Sequence, residues 1–228
     1  MIIGITGSFG TGKTTVANMF KQYGFKVINI DKLYHGMYNK NNSLRNKIKK
    51  EFGTAKRDQL KKIVFNDCEQ LKKLNKLTHP IIINEIKKEI IAIIGKSNKK
   101  TPIIKKITTI KKTNKKIIIN KNKKLVNGKN NIGIKNNVRI IIDAPLLIEA
   151  KAKGLVDKLI VVKCNKKNQV ERALKKGKYS KKEIENIIKS QIPLKEKIRH
   201  ADFVVDNNKT VRETEKHVKT IASLLQKP

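Results

Sequence analysis

Lys13 and Thr14 close the stretch Gly7-Ser8-Phe9-Gly10-Thr11-Gly12-Lys13-Thr14, which matches the GxxxxGKT pattern of a phosphate-binding loop. Glycines at these positions let backbone N–H groups turn inward around an anion, and a helix starting behind them adds the positive end of its dipole. In such a loop the lysine ammonium reaches the β- and γ-phosphates and the Thr14 hydroxyl ligates Mg²⁺. Gly10, Thr11, Gly12, Lys13, Thr14 and Thr15 are therefore the candidate ATP contacts. Two carboxylates, Asp31 and Asp143, each end an apolar run. In open α/β sheets ligands bind beyond the carboxyl ends of strands, so Asp31 is a candidate to face the bound phosphates. Asp31 has two open roles at this point, a carboxylate acting on the substrate or a cap for the helix that starts near Lys32.

The elements that must position these groups follow from the pattern. Residues 1–5 are a β-branched strand, and residues 14–23 carry Val16, Ala17, Met19 and Phe20 at helical spacing, so the loop lies in the strand–loop–helix context it requires. Residues 25–30 predict a second strand. Residues 32–94 read as helical almost throughout, with His79 at a helix boundary because a proline follows it. Residues 139–143 and 158–162 are apolar enough for a parallel sheet buried on both faces, and residues 203–205 supply a last strand. A helix carries Gln169, Val170 and Arg172, Ser180 and Glu183 form a capping box, and residues 211–225 close the chain as an amphipathic helix. The fold class is α/β.

Between residues 95 and 138 the composition shifts to Lys, Asn, Ile and Thr, and Asn127-Gly128 gives a hairpin signal. This basic insertion is expected to form at most a small β-ribbon and to be dispensable for chemistry. The net charge of +36 would suit a polyanionic partner, but the excess of Lys, Asn and Ile together also fits a genome poor in G and C. With 4% aromatic residues and no Trp, the chain lacks the stacking groups that single-stranded nucleic acid uses, and this favours composition bias over nucleic-acid binding. Cys68 and Cys164 stand alone, without the spacing of a disulfide framework or a zinc site, and are expected to be buried thiols. The first strand begins at Ile2, and no apolar run reaches the roughly 20 residues of a membrane span, so the expected compartment is the cytoplasm.

Taken together, these pieces resemble the dephospho-coenzyme A kinase family of the P-loop nucleotide-kinase group. The resemblance rests on Ile5-Thr-Gly-Ser-Phe-Gly-Thr-Gly-Lys-Thr-Thr15, on Val27-Ile-Asn-Ile-Asp31, on Arg57-x-x-Leu60-x-x-Ile63-Val64-Phe65 and on Leu74-Asn75 followed by His79-Pro80. Asp143-Ala-Pro145-Leu146-Leu147-Ile-Glu149, Gln169-x-x-Arg172, Ser190-Gln191 and Ala201-Asp202-Phe-Val-Val-Asp-Asn207 extend it to nearly the whole chain outside residues 95–138.

The resemblance implies one P-loop kinase domain over residues 1–228: a five-stranded parallel sheet, a helical substrate-binding region at 32–94 and a lid at 175–199. It also implies transfer of the ATP γ-phosphoryl group to the ribose 3′-hydroxyl of dephospho-coenzyme A. Asp31, Lys13 and Arg172 become the catalytic set, with Arg172 supplying charge as the lid closes. Asp31, His79, Pro80, Leu146, Leu147 and Glu149 become acceptor contacts, and Thr14 and Asp143 the Mg²⁺ contacts. The implied protein is a monomer or weak homo-oligomer. Three departures stand out: Asn29 replaces a family Asp and can act only by hydrogen bonding, the segment between Gly53 and Arg57 is short, and Lys176 replaces a lid arginine and so lacks bidentate phosphate recognition. The alternatives are another small-molecule or nucleotide kinase, or a nucleic-acid-stimulated P-loop ATPase.

Overall fold

The computed structural model describes residues 1–95, 138–150 and 152–227. The Asn127-Gly128 hairpin and most of the basic insertion lie outside them. Five strands, β1 (Ile2–Thr6), β2 (Lys26–Asn29), β3 (Ile140–Asp143), β4 (Lys158–Lys163) and β5 (Phe203–Asp206), form one sheet in the order β2-β3-β1-β4-β5. Every pairing is parallel. Central β1 and β3 are buried at every position, and this is why their Ile residues run on without polar alternation. All the strands point their carboxyl ends the same way. The phosphate loop after β1, the chain after β2 and Asp143 at the end of β3 therefore share one rim.

Helices cover both faces. On one side α1 (Lys13–Met19), the 3₁₀ turn Phe20–Tyr23 and α9 (Val211–Gln226) pack Val16, Phe20, Val218 and Leu225 against Ile3, Ile141 and Ile160. On the other, α5 (Cys68–Gly95) lays Ile86, Ile90 and Ile94 against Ile2, Ile140 and Leu159. Helices α2 (Ile30–Lys40), α3 (Asn42–Phe52) and α4 (Arg57–Asn66) project from the sheet. They have a small core of their own, Tyr38, Leu44, Ile48, Leu60 and Val64, against which Leu71, Leu74 and Leu77 of α5 pack. Helices α6 (Lys166–Leu174), α7 (Lys181–Lys189) and α8 (Leu194–Arg199) lead from β4 to β5. Both α7 and α9 begin with a capping box, Ser180 with Glu183 and Thr210 with Glu213. Among the described residues no helix is long and apolar enough to cross a membrane.

Two local expectations are corrected. His79 is not at a helix boundary, because α5 runs through Pro80. A proline inside a helix forfeits one backbone hydrogen bond and costs about 3 kcal/mol. Here the apolar stripe continues on both sides of it, from Leu74 and Leu77 to Ile86 and Ile90, and its burial outweighs the local penalty. The second helix starts at Ile30 rather than near Lys32, and its N-cap is Asn29, whose side chain accepts from Lys32 N–H. Asp31 lies in the first helical turn and does not cap it.

Candidate active site

The phosphate loop is closed by its own polar atoms. The Ser8 carbonyl accepts from Thr11 Oγ1 at 2.9 Å and from Lys13 Nζ at 2.8 Å. Gly10 and Gly12 have φ of 80° and 86°, conformations open to glycine and strained for other residues. Space is lacking as well. A Cβ on Gly10 would come within 2.4 Å of the Gln169 carbonyl oxygen, and one on Gly12 within 2.3 Å of Asn207 Nδ2. The loop is therefore clamped between α6 and the end of β5. Asn207 does most of this, donating from Nδ2 to the Thr11 carbonyl at 2.8 Å and accepting from Thr214 Oγ1 at 2.9 Å.

Lys13 is only 9% exposed, and burial lowers its pKa from 10.5 to about 8 although Asp143 and Asp31 pull it upward. Asp143, 2% exposed, is raised by burial and held back by its hydrogen bonds and by Lys13. Its Oδ2 accepts from Thr14 Oγ1 and from Asn29 Nδ2, each at 2.7 Å. The register explains the meeting, since Asp143 is level with Ile5 on one side and Asn29 on the other. Asn29 thus acts by hydrogen bonding, as its side chain requires. Thr14 and Asp143 offer converging oxygens, the donor type of Mg²⁺, which binds through one or two carboxylates, substrate phosphates and water. The residues present fit that ion.

Asp31 is exposed on the same rim, where its charge acts on both Lys13 and Asp143. It stands beside a cavity of about 280 Å³ between α2, α5 and the loop after β3, lined by Tyr34, Phe65, His79, Ile82, Leu146 and Leu147. A second cavity of about 500 Å³ shares Phe65, His79 and Leu146 and adds Glu149 and Gln191. Pro80 lines neither cavity and is exposed, because a residue next to His79 on a helix faces another way. Burial lowers the His79 pKa, opposed by the Glu149 charge, so the imidazole is neutral near pH 7.

Leu147 is 2% exposed and presses on β1, where a Cβ on Gly4 would lie 2.4 Å from its Cδ2. The loop carrying Leu146 and Leu147 is pinned at the Pro145 carbonyl by Thr6 Oγ1 at 3.1 Å and Lys197 Nζ at 3.0 Å. Lys197, fully buried, also pairs with Glu149 Oε1 at 2.7 Å, and the Ile192 N–H reaches the same carboxylate oxygen at 3.3 Å.

Arg172 lies in α6, outside the segment 175–199, and is already beside the loop. Its Nη1 donates to the Asn207 carbonyl at 2.8 Å and lies 4.0 Å from a Cβ built on Gly12. Lys176 is exposed, but its charge reaches Lys13. Cys164 is buried and free, as expected for a lone thiol. Lys197 and Tyr34 escaped residue-level reasoning, and Asn207 entered only as the end of a family motif, without a role. Asn207 had a usable signal, since it follows the last strand at the ligand-binding rim, whereas a lysine on a short polar helix carries none.

The family model described as dephospho-CoA kinase matches residues 1–120 and 123–213, entering the segment that the motif resemblance leaves out. A dephospho-CoA kinase of Aquifex aeolicus is 33% identical over 227 residues, covering 96% of this chain and 94% of the relative. Among solved structures, Thermus thermophilus TT1252 aligns with a TM-score of 0.64 at 22% identity, over 100% of this chain and 98% of that one. The dephospho-CoA kinase of Campylobacter jejuni aligns with a TM-score of 0.50 at 21% identity, over 98% and 96%. At these identities the two structures speak to the fold alone, and it is the five-stranded parallel P-loop kinase fold described above. From the family match and the Aquifex relative, the chain belongs to the dephospho-CoA kinase family of phosphotransferases.

Proposed function

We propose that this chain transfers the γ-phosphoryl group of ATP to the ribose 3′-hydroxyl of dephospho-coenzyme A, giving coenzyme A and ADP, the last step of coenzyme A biosynthesis. The observation that carries the reading is the position of Asp31, an exposed carboxylate between an apolar cavity and the Lys13–Asp143 end of the phosphate loop. The acceptor's nucleoside enters that cavity, where His79 and Leu146 hold it against α5, and the pinned loop carrying Leu147 and Glu149 fixes its wall. Its 3′-hydroxyl then meets Asp31, which orients the oxygen and takes its proton as it attacks phosphorus. Phosphoryl transfer asks for alignment and charge stabilisation more than for covalent help.

Backbone N–H groups of Gly10 to Thr15 and the Lys13 ammonium cradle the ATP phosphates, and Arg172 offsets charge on the β–γ side. Thr14 and Asp143 would hold Mg²⁺, which when bound neutralises charge developing on the transferred group. The protein acts as a monomer or weak homo-oligomer, and dependence on ATP suits the cytoplasm.

The test is ADP release with and without dephospho-coenzyme A, for the native protein and Asp31→Asn. Turnover should require the acceptor and fall by roughly 10²–10⁴-fold in the variant, the range for a positioned acid–base group, with ATP affinity nearly intact. ADP release that ignores the acceptor but responds to RNA or DNA would overturn the reading in favour of a nucleic-acid-stimulated ATPase.

A further inference from the structure

Helix α7 holds one residue of the phosphate loop from both of its ends. Tyr179, just before the helix, sets its ring edge-on against Phe9, with centroids 5.6 Å apart and planes at 84°. Gln191, just after it, accepts on Oε1 from the Phe9 N–H at 2.8 Å. The same helix grips α4 in the same two ways. Tyr179 meets Phe65 at 5.6 Å and 80°, and Asn186 Nδ2 donates to the Phe65 carbonyl at 3.4 Å. The Lys61 ammonium, also on α4, lies 5.9 Å from the Tyr179 ring centroid.

Phe65 lines both the cavity beside Asp31 and the one that adjoins it through His79 and Leu146, and Phe9 lies inside the phosphate loop. The two substrates' enclosures are thus joined through one short helix. That helix is braced along its length: the Ser180–Glu183 capping box fixes its first turn, and Ile184 and Ile187 bury its inner face. Burial raises the Tyr179 pKa, and the Asp31 charge adds to the shift.

We propose that Tyr179, seconded by Gln191, is a positioning residue that ties the phosphate loop to the acceptor cavity, so that a filled cavity holds the loop closed and keeps water from the γ-phosphate. The inference rests on the phosphoryl-transfer reading above. Its physical content is a partition. With the clasp intact the acceptor hydroxyl is the nucleophile available to ATP; with it broken the loop opens while ATP is bound, water attacks phosphorus, and ADP and inorganic phosphate form without phosphorylated acceptor. An edge-on ring pair shifts an equilibrium by a factor of about two to ten, so the clasp should leak when cut rather than fail outright.

The experiment measures ADP and phosphorylated dephospho-coenzyme A separately, using the full chain with saturating ATP and acceptor. Native protein should give about one ADP per product. Tyr179→Leu should raise the excess of ADP over product, the uncoupled fraction, about four- to a hundredfold by loss of two ring pairs. Gln191→Met, which leaves the rings in place, should raise it in the same direction, and Tyr179→Phe, which keeps the ring contacts, should restore the native value. If Tyr179→Leu does not fold, Gln191→Met alone decides. A native ratio in Gln191→Met and in folded Tyr179→Leu, whatever their melting temperatures, would reduce the contacts to packing and overturn the proposal. Failure of the underlying reading looks different, since native protein would then form no phosphorylated dephospho-coenzyme A at all; the clasp would in that case stand or fall on whether both variants hydrolyse ATP faster than native protein without acceptor.

Discussion

Lys13→Met should make the ligand-free protein more stable at pH 7 while abolishing phosphoryl transfer. Lys13 is buried, and its pKa falls from 10.5 to about 8 mainly because burial disfavours the ammonium. At 1.36 kcal/mol per pH unit, holding that charge destabilises the fold by about 3 kcal/mol. Methionine has similar reach and no charge. It forfeits the hydrogen bond from Nζ to the Ser8 carbonyl at 2.8 Å, a loss of about 1 kcal/mol. The net gain is about 2 kcal/mol, or roughly 4–8 °C in melting temperature for a chain of this size.

The pH dependence follows from the same shift. An unfolded lysine keeps its proton up to about pH 10.5, whereas the folded one keeps it only to about pH 8. Between those values the unfolded chain binds more protons, so native stability rises with pH there. Below pH 8 the native protein carries the whole penalty, and the variant carries none at any pH. The variant's advantage should therefore be full at pH 7, shrink from pH 8 upward and reverse just below pH 10, where the remaining penalty falls under the about 1 kcal/mol of the missing hydrogen bond. Urea unfolding without nucleotide, at pH 7 and at steps up to pH 10, measures it. A variant no more stable than native protein at pH 7, or an advantage independent of pH, would refute the reasoning.

Two further changes probe the rim. Asn29→Asp keeps the cap on Lys32 N–H but replaces the amide donor to Asp143 by a second carboxylate; without divalent cation it should lose about 1–3 kcal/mol, and Mg²⁺ should raise its melting temperature more than that of the native protein. An equal Mg²⁺ response in both would mean that the ion does not sit between these side chains. Lys197→Met removes one partner of the buried pair with Glu149 and the donor to the Pro145 carbonyl, so the urea midpoint should fall by the equivalent of about 3 kcal/mol; an unchanged midpoint would show that Glu149 finds water when the lysine is gone.

The sheet was legible because its central strands are buried on both faces, which forces Ile-rich runs without polar alternation at residues 2–5 and 140–142. The rim was legible in part for a related reason, since Asp31 stands where an apolar run stops and ligands bind, whereas Asp143 took its role from the family motif. Boundaries failed where two rules compete over the same residues. Val27-Ile28-Asn29-Ile30 has no period that tells a strand's end from a helix's start, and the structure resolves it through Asn29, which closes β2 and caps α2 together. At His79-Pro80 the local bias of proline lost to the burial of a stripe that continues for several turns, an outcome decided by what lies across from the helix.

Charge shows most clearly where sequence reasoning stops. With 54 Lys and Arg residues in 228, composition cannot distinguish a lysine that meets solvent from one that performs a task. Lys13 could be singled out because glycines at fixed spacing surround it. Lys197 sits among Lys195, Glu196 and Arg199 on a short polar helix, yet its ammonium is fully enclosed between a carboxylate and a loop carbonyl. The difference lies in the far partners, Glu149 and Pro145, which come into reach only when α8 docks beside the loop after β3. Tyr179 belongs to the same class, since it is an ordinary residue before α7 until the fold sets Phe9 against its ring. Groups that bind phosphate carry their signature in sequence because the phosphate dictates local spacing, whereas groups that hold the loops in place answer only to tertiary distance.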